Sequence, residues 1–141
     1  MEGTNDLGLE VMPNNSVDTE KYNGVRSKIA KAYKGTKLSD YDENSVYKEG
    51  LQREQPIVTV ETDVIGETDA GEPITVKNDI NLKVNPKTGN LAFSTHPKSN
   101  SAKIFAKFNV TTFEELIGKE CLVVEKCNPE KPDRKWLTIQ Y

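Results

Sequence analysis

A nearly acid-free, lysine-rich stretch runs from Lys77 to Lys107. It contains six lysines and a single acidic residue, Asp79, although the whole chain has a net charge of −3 and a pI near 5.3. Lysines that neutralise phosphates, placed beside aromatic rings that stack on bases, are what sequence-tolerant binding of single strands requires. The residues predicted to bind nucleic acid combine these types: Lys77, Lys83, Lys87, Phe93, Lys98, Arg134, Lys135 and Trp136.

The aromatic candidates differ in their surroundings. Trp136 alternates against Leu137 and Ile139, so it is expected to face outward beside Arg134 and Lys135. Phe93 falls on an apolar position, which is more typical of a core residue than of a stacking platform. Trp136 is therefore the better candidate for stacking.

Catalytic and metal-binding patterns are missing from the sequence. The single histidine, His96, has no Cys-x-x-Cys or second histidine near it. The acids of the 61–69 stretch lack the spacing of an EF-hand and are typical of a solvated edge. There is no Gly-x-Ser-x-Gly motif and no glycine-rich phosphate loop. We therefore predict a protein that is not an enzyme and needs no cofactor or metal.

The two cysteines, Cys121 and Cys127, lie six residues apart in one predicted strand. At about 3.3 Å per residue their Cα atoms would be roughly 20 Å apart, too far for a disulfide. Free thiols are typical of a reducing compartment. Since the sequence shows neither a long apolar run nor a secretory signal, we expect a cytoplasmic protein, in the host cytoplasm if the chain is viral, and no membrane partner.

A period of two dominates residues 74–84 and predicts a strand with one buried face. Its apolar positions are Ile74, Val76, Ile80, Leu82 and Val84, and Asn78 is the one polar break. Turn-forming residues occupy 85–90, after which Leu91, Phe93 and Thr95 resume the alternation. The prediction is a long hairpin from Glu72 to Thr95, with an apolar inner face and a basic outer face.

The remaining elements follow from shorter patterns. Residues 57–64 alternate as a first strand, Ser99 or Ser101 can cap a helix carrying Ile104, and residues 111–115 fit a capping box for a short helical turn ended by Gly118. Residues 121–124 and 136–139 read as the last two strands, with a rigid loop over 128–134. The predicted buried residues are Val60, Ile80, Leu82, Phe93, Phe105, Leu122 and Ile139.

Residues 1–55 are expected to form a polar N-terminal arm. Residues 1–24 are polar and contain the breaker cluster Pro13–Ser16. Val25, Ile29 and Tyr33 recur every four residues, which predicts a short basic helix over 25–34. The boundary with the folded domain, 56–141, is placed near Pro56, where strand-like alternation begins.

The order of strand, strand, strand, helix, strand, strand is that of an OB-fold, a partly open five-stranded Greek-key barrel. The segment Phe113–Lys119, followed by a strand, a turn and a final strand, resembles small phage-type single-stranded-DNA-binding proteins of this fold over residues 57–141. The resemblance implies cytoplasmic binding of single strands in replication or recombination. The chain departs from the family in its long N-terminal arm and in having no acidic C-terminal tail.

Three hypotheses remain open at this point. The first is a non-enzymatic binder of single-stranded nucleic acid, more probable as DNA than RNA. The second is a viral or phage structural protein, found in the virion, whose arm orders against a neighbouring subunit or another protein partner. The third and weakest is an inhibitor that mimics nucleic acid with the acidic 54–72 stretch.

Overall fold

The architecture of the computed structural model, which describes residues 7–10, 12, 15–40 and 52–141, is mainly β. The helices of this part of the chain are α1 (Thr19–Tyr22), α2 (Asn100–Phe108) and a 3₁₀ helix (Glu114–Leu116). The strands are β1 (Arg26–Asp40), β2 (Gln52–Thr62), β3 (Gly66–Glu67), β4 (Pro73–Ile74), β5 (Lys77–Asn81), β6 (Lys83–Val84), β7 (Leu91–Ala92), β8 (Glu120–Asn128) and β9 (Lys131–Ile139).

Five of these strands form one antiparallel sheet in the order β5-β2-β1-β8-β9. Numbered along the chain, its first four strands have the spatial order 4-1-2-3, which is a Greek key. The fifth strand, β9, pairs with the fourth, and helix α2 lies between the third and the fourth. The prediction of a mainly β fold with five principal strands and a helical insertion is confirmed, although the five strands are not all the predicted ones.

The predicted helix over 25–34 is wrong, because these residues belong to β1, the central strand of the sheet. β1 pairs with β8 over Arg26–Lys28 and with β2 from Ile29 to Asp40, with a bulge between Ile29 and Lys31. The boundary proposed near Pro56 falls inside β2, so the division into an arm 1–55 and a domain 56–141 is also wrong. Pairing partners distant in the sequence decided the conformation here, as they commonly do for strands.

The predicted hairpin over 72–95 is confirmed only as a pattern of burial. Ile74, Val76, Ile80 and Leu82 are buried, as the alternation predicts. However, β5 pairs with β2, through Val58 opposite Ile80, rather than with residues 90–95. Residues 90–95 contribute only β7, which pairs with β6 in a two-stranded ribbon outside the main sheet.

Asn78 explains the polar break in that alternation. Its side-chain amide donates to Thr138 Oγ1 at 2.8 Å and to the Ile139 carbonyl at 3.4 Å, and its Oδ1 accepts from the Ile139 amide at 3.0 Å. These bonds join β5 to β9, the two edge strands of the five-stranded sheet. A buried polar side chain is stable here because its hydrogen bonds are satisfied.

Local signals placed helix α2 correctly. Its N-cap is Ser99, whose hydroxyl accepts from the Ala102 amide at 3.2 Å, and Ile104 is buried beneath it. In the next turn Thr112 Oγ1 accepts from the Glu115 amide at 3.3 Å, and Gly118 follows with a φ of 90°. The rigid loop predicted over 128–134 is wrong, since β9 begins at Lys131.

The core lies between the sheet, α2 and the 3₁₀ helix. Its most buried side chains include Ile29, Val60, Ile80, Ile104, Leu116, Val123 and Ile139. Burial is confirmed for the predicted residues Val60, Ile80, Leu82 and Ile139. Phe105 and Leu122 are half-buried, and the prediction for Phe93 is wrong, because this side chain is 38% exposed.

Residues 15–25 pack against the protein's own sheet. Tyr22 is buried, with its ring over Gly66, where a Cβ atom would collide with it. Thr19 Oγ1 donates to Glu125 Oε2 at 2.6 Å, and the Gly24 amide donates to the Val123 carbonyl at 2.7 Å. This part of the predicted polar arm therefore contacts β8 of the same chain. Pro13 and Asn14 of the breaker cluster lie outside the described residues.

Candidate functional site

A groove of about 390 Å³ lies between β1 on one side and β7 with the 3₁₀ helix on the other. Apolar side chains form its floor, and the partly exposed ring of Phe93 stands at its rim. Its lining residues are Ala32, Tyr33, Lys34, Val58, Leu82, Leu91, Ala92, Phe93, Thr112, Phe113 and Glu114. An apolar concave surface with a few polar groups at its border is the usual form of a binding site.

The groove exists because β1 separates from β8 partway along its length. The Ile29 amide donates to the Lys119 carbonyl at 2.9 Å, and the Gly118 amide donates to the Ile29 carbonyl at 2.7 Å. After the bulge at Ile29/Lys31, β1 continues beside β2 alone within the described residues. The separation leaves Ala32 and Lys34 facing the groove.

Phe93 is held in place by two other aromatic rings. Its centroid lies 5.1 Å from that of Phe105 and 5.7 Å from that of Phe113, in edge-to-face geometry, and Phe105 and Phe113 are 4.8 Å apart. Such pairs stabilise an orientation beyond simple area burial. One part of the Phe93 ring therefore belongs to the core while the other is available at the groove.

The side chain of Tyr33 lies on the outer face of β1, opposite to that of Lys34, where a hydrogen bond across the sheet fixes it. Its hydroxyl donates to Glu61 Oε1 at 3.0 Å, and Thr75 Oγ1 donates to Glu61 Oε2 at 2.7 Å. Burial raises the pKa of Glu61, but the bonds from Thr75 and Tyr33, with the charges of Lys77 and Lys31, outweigh it and lower that pKa overall. Burial, and then the bond to Glu61, raise the pKa of Tyr33, so its hydroxyl stays protonated at neutral pH.

Two basic segments without acidic residues flank the groove. The first is β1 from Arg26 to Leu38, with Arg26, Lys28, Lys31, Lys34 and Lys37. The second runs from 82 to 107, with Lys83, Lys87, Lys98, Lys103 and Lys107. Glu114 is the one acidic residue among the lining residues. Glu61 lies on the outer face of β2, and the other acids of the 61–72 stretch follow the C-terminal end of that strand.

The sequence-predicted site residues fall into two groups in the structure. Phe93 lines the groove, and Lys83, Lys87 and Lys98 lie in the basic segment beside it; all three lysines are exposed. Lys77 lies at the start of β5, opposite Glu61. Arg134, Lys135 and Trp136 lie on the β8–β9 hairpin, whose tip is at the end of the sheet where β1 begins, since β8 is antiparallel to β1.

The hairpin residues Arg134, Lys135 and Trp136 therefore do not line the same groove as Phe93 and the lysines beside it. Trp136 is 46% exposed, so its predicted outward orientation is confirmed, and it pairs with Lys126 across the hairpin. Lys135 Nζ lies 4.0 Å from Glu125 Oε1, so part of the positive charge of the hairpin is already neutralised. Sequence reasoning missed Tyr33 and Lys34, because it assigned both to a helix.

Metal-ligating side chains and cysteines are the remaining candidates for chemistry in the described part of the chain. No cluster of three metal-ligating side chains occurs there, and none of its helices is long and apolar enough to cross a membrane. Cys121 and Cys127 are both free, as predicted. Burial, with a smaller effect of Asp63, raises the pKa of the Cys121 thiol to about 11.

Comparison with known proteins gave no assignment: no family model, curated protein or solved structure matches this chain significantly.

Proposed function

We propose that this protein binds single-stranded nucleic acid, without catalysing a reaction, in the groove between β1 and β7. One observation carries the proposal: the partly exposed ring of Phe93 borders an apolar groove that lies between two acid-free basic segments. Aromatic platforms and lysines are the two components of sequence-tolerant single-strand binding.

The strand arrangement supports the same function. A Greek key of four strands, a fifth strand beside the fourth and a helix between the third and fourth are features of the OB-fold. The bonds of Asn78 to β9 bring together the edge strands that would close such a barrel. We therefore propose an OB-like, partly open barrel, a fold that binds oligonucleotides on the face of its second and third strands and on two adjacent loops.

The outer face of β2 and β5 carries two carboxylates. Glu61 and Asp79 lie on it, and Thr59 Oγ1 donates to Asp79 Oδ1 at 2.8 Å. Carboxylates repel phosphates, whereas the groove on the other face of β2 has Lys34 in its wall and Lys83 on β6 nearby. We therefore place the nucleic acid in the groove, with one base against Phe93 and phosphates near Lys34 and Lys83.

The test is a titration of the intact chain with fluorescently labelled oligo-dT at several salt concentrations, with fluorescence anisotropy as the readout. Binding through about four phosphates predicts a slope near −3 for log affinity against log salt, from roughly −0.7 per phosphate on a single strand. Lack of oligo-dT binding at low ionic strength would exclude the proposal.

A matched pair of variants tests the location. Phe93→Leu removes the aromatic ring at the groove but keeps an apolar side chain there, and Trp136→Ala removes a ring at the β8–β9 hairpin. The proposal requires the first to weaken binding and the second to leave it nearly unchanged. The reverse result would return the site to the hairpin residues Arg134, Lys135 and Trp136 that the sequence indicated.

A further inference from the structure

The hydrogen bonds of β2 define which backbone groups of β1 are unpaired. The Leu82 amide donates to the Pro56 carbonyl at 2.9 Å and the Thr62 amide to the Val76 carbonyl at 3.0 Å, so even-numbered residues of β2 face β5. Because bonded residues alternate along a strand, the odd-numbered residues of β2 face β1.

The register then assigns the groups of β1. Tyr33 and Gly35 lie opposite Thr59 and Ile57, so their amides and carbonyls are bonded to β2. The residues between them direct their amides and carbonyls to the other edge. These edge residues are Ala32, Lys34, Thr36 and Leu38. In the described part of the chain no strand pairs with this edge, since β8 pairs with β1 only as far as Lys28.

We propose that this edge binds an extended acidic peptide of another protein by β-strand addition. Lysines at 31, 34 and 37 line the edge, and β1 has no acidic residue before Asp40. Main-chain hydrogen bonds supply affinity in such complexes, and pockets for alternate side chains supply specificity. The inference does not depend on nucleic-acid binding, although both ligands would use the groove.

The groove beside the edge determines the pattern of the peptide. Ala32 and Lys34 belong both to the edge and to the groove lining, so every second side chain of an added strand would point toward Val58, Leu82 and Phe113. The intervening side chains would lie on the face of Lys31 and Lys37. Alternating apolar and acidic residues fit this arrangement, and the span of residues 32–38, about 20 Å, accommodates roughly six of them.

Other occupants fit the edge less well. A second copy of β1 would bring its own lysines against Lys34 and Lys37, and lysines on an edge strand oppose such pairing. A nucleic acid offers no row of donors for the carbonyls of Ala32, Lys34 and Thr36. A peptide supplies both the donors and the acceptors that a strand edge needs.

The probe is a labelled seven-residue peptide of alternating glutamate and valine with blocked ends, titrated against the intact chain. The control peptide replaces glutamate by lysine. We expect binding of the acidic peptide only, with protection of the Ala32, Lys34 and Thr36 amides from hydrogen exchange. N-methylation of the peptide at the residues that face β1 should weaken binding about tenfold, as the loss of a main-chain hydrogen bond predicts, whereas methylation at the alternate residues should not.

A pair of protein variants tests the same edge. Thr36→Pro removes an amide that points away from β2, which an edge strand tolerates, and Thr36→Val keeps that amide. We expect about tenfold weaker peptide binding for Thr36→Pro only, with oligo-dT binding of both variants unchanged. Any of four results would overturn the proposal: equal peptide affinity of the two variants, insensitivity to N-methylation, lack of peptide binding, or a chain dimer that Thr36→Pro dissociates. The oligo-dT titration separates these outcomes from failure of the proposed function.

Discussion

Both ends of the five-stranded sheet carry aromatic and basic residues, but those of one end lie beside a groove and those of the other on a hairpin. At the groove end, Phe93 borders an apolar floor, and the flanking segments contain lysines without acids. At the hairpin end, Trp136 stands on a two-stranded ribbon, and Lys135 lies near Glu125. Similar residue types therefore have different value for binding, because a ring needs a surface beside it and a charge needs to be unpaired.

The difference also shows in how firmly each ring is held. Phe93 packs edge-to-face on Phe105 and Phe113. A ring that is already ordered loses little conformational entropy when a base stacks on it. This preorganisation distinguishes the groove end from the hairpin end, and the following predictions test it, in order of decreasing effect.

Leu82→Ala should cost the most, because Leu82 is buried in the groove floor. We expect a loss of about 2–5 kcal/mol in the free energy of unfolding, from lost burial plus the cavity left behind. Leu137→Ala, at a half-buried position of β9, is the matched variant and should cost less. Chemical denaturation measures both. A change below about 0.5 kcal/mol for Leu82→Ala would place the groove outside the folded core.

The alternation that includes Leu82 is also the part of the fold that the sequence predicted best. A period of two specifies a strand with one buried face whatever its partner, and Ser99 caps α2 through a local hydrogen bond. Both signals are carried by neighbouring residues. They therefore predicted burial and helix position without information on pairing.

β1 could not be predicted in the same way. The bulge at Ile29/Lys31 shifts its alternation. Beyond Lys28, β8 no longer pairs with β1, and this largely exposed part of the strand carries lysines where a strand paired on both sides would carry apolar residues. Val25, Ile29 and Tyr33 then imitate a helical period. Because Tyr33 and Lys34 lie on this strand, the groove was missed along with it, and only Phe93 of its rim was among the predicted site residues.

Phe93→Leu should reduce oligo-dT affinity by about 1–3 kcal/mol, the value of one base–aromatic stack, while it keeps an apolar side chain against Phe105 and Phe113. Tyr33→Ala removes a ring from the other face of β1, so it should bind within a few tenths of a kcal/mol of the wild type. Fluorescence anisotropy at one salt concentration compares the two variants. Equal losses for Phe93→Leu and Tyr33→Ala would contradict stacking on Phe93 in the groove.

Charge reversal tests the second difference between the ends. Lys34→Glu should flatten the salt slope of oligo-dT binding by about 0.7, because one phosphate contact is lost. Lys135→Glu, beside Glu125 on the hairpin, should leave the slope within about 0.2. Base preference should be unchanged in both, since phosphate contacts carry no sequence information. A larger change for Lys135→Glu would show that the hairpin contacts the strand.

The smallest effect is expected from a label on the hairpin. Cys127 is exposed, whereas Cys121 is buried and its pKa is raised to about 11, so its thiol remains protonated at pH 7.5 and reacts slowly. A maleimide dye should therefore attach to Cys127 alone, with about one dye per chain measured by mass spectrometry. Cys127 lies opposite Lys135 on the β8–β9 hairpin, so the bulky label stands beside Lys135 and away from the groove. Oligo-dT affinity should change by less than about twofold, because a label there removes no stacking or phosphate contact at the groove. A tenfold loss would mean that the bound strand extends across the sheet to the hairpin, and the two ends would then act as one binding surface.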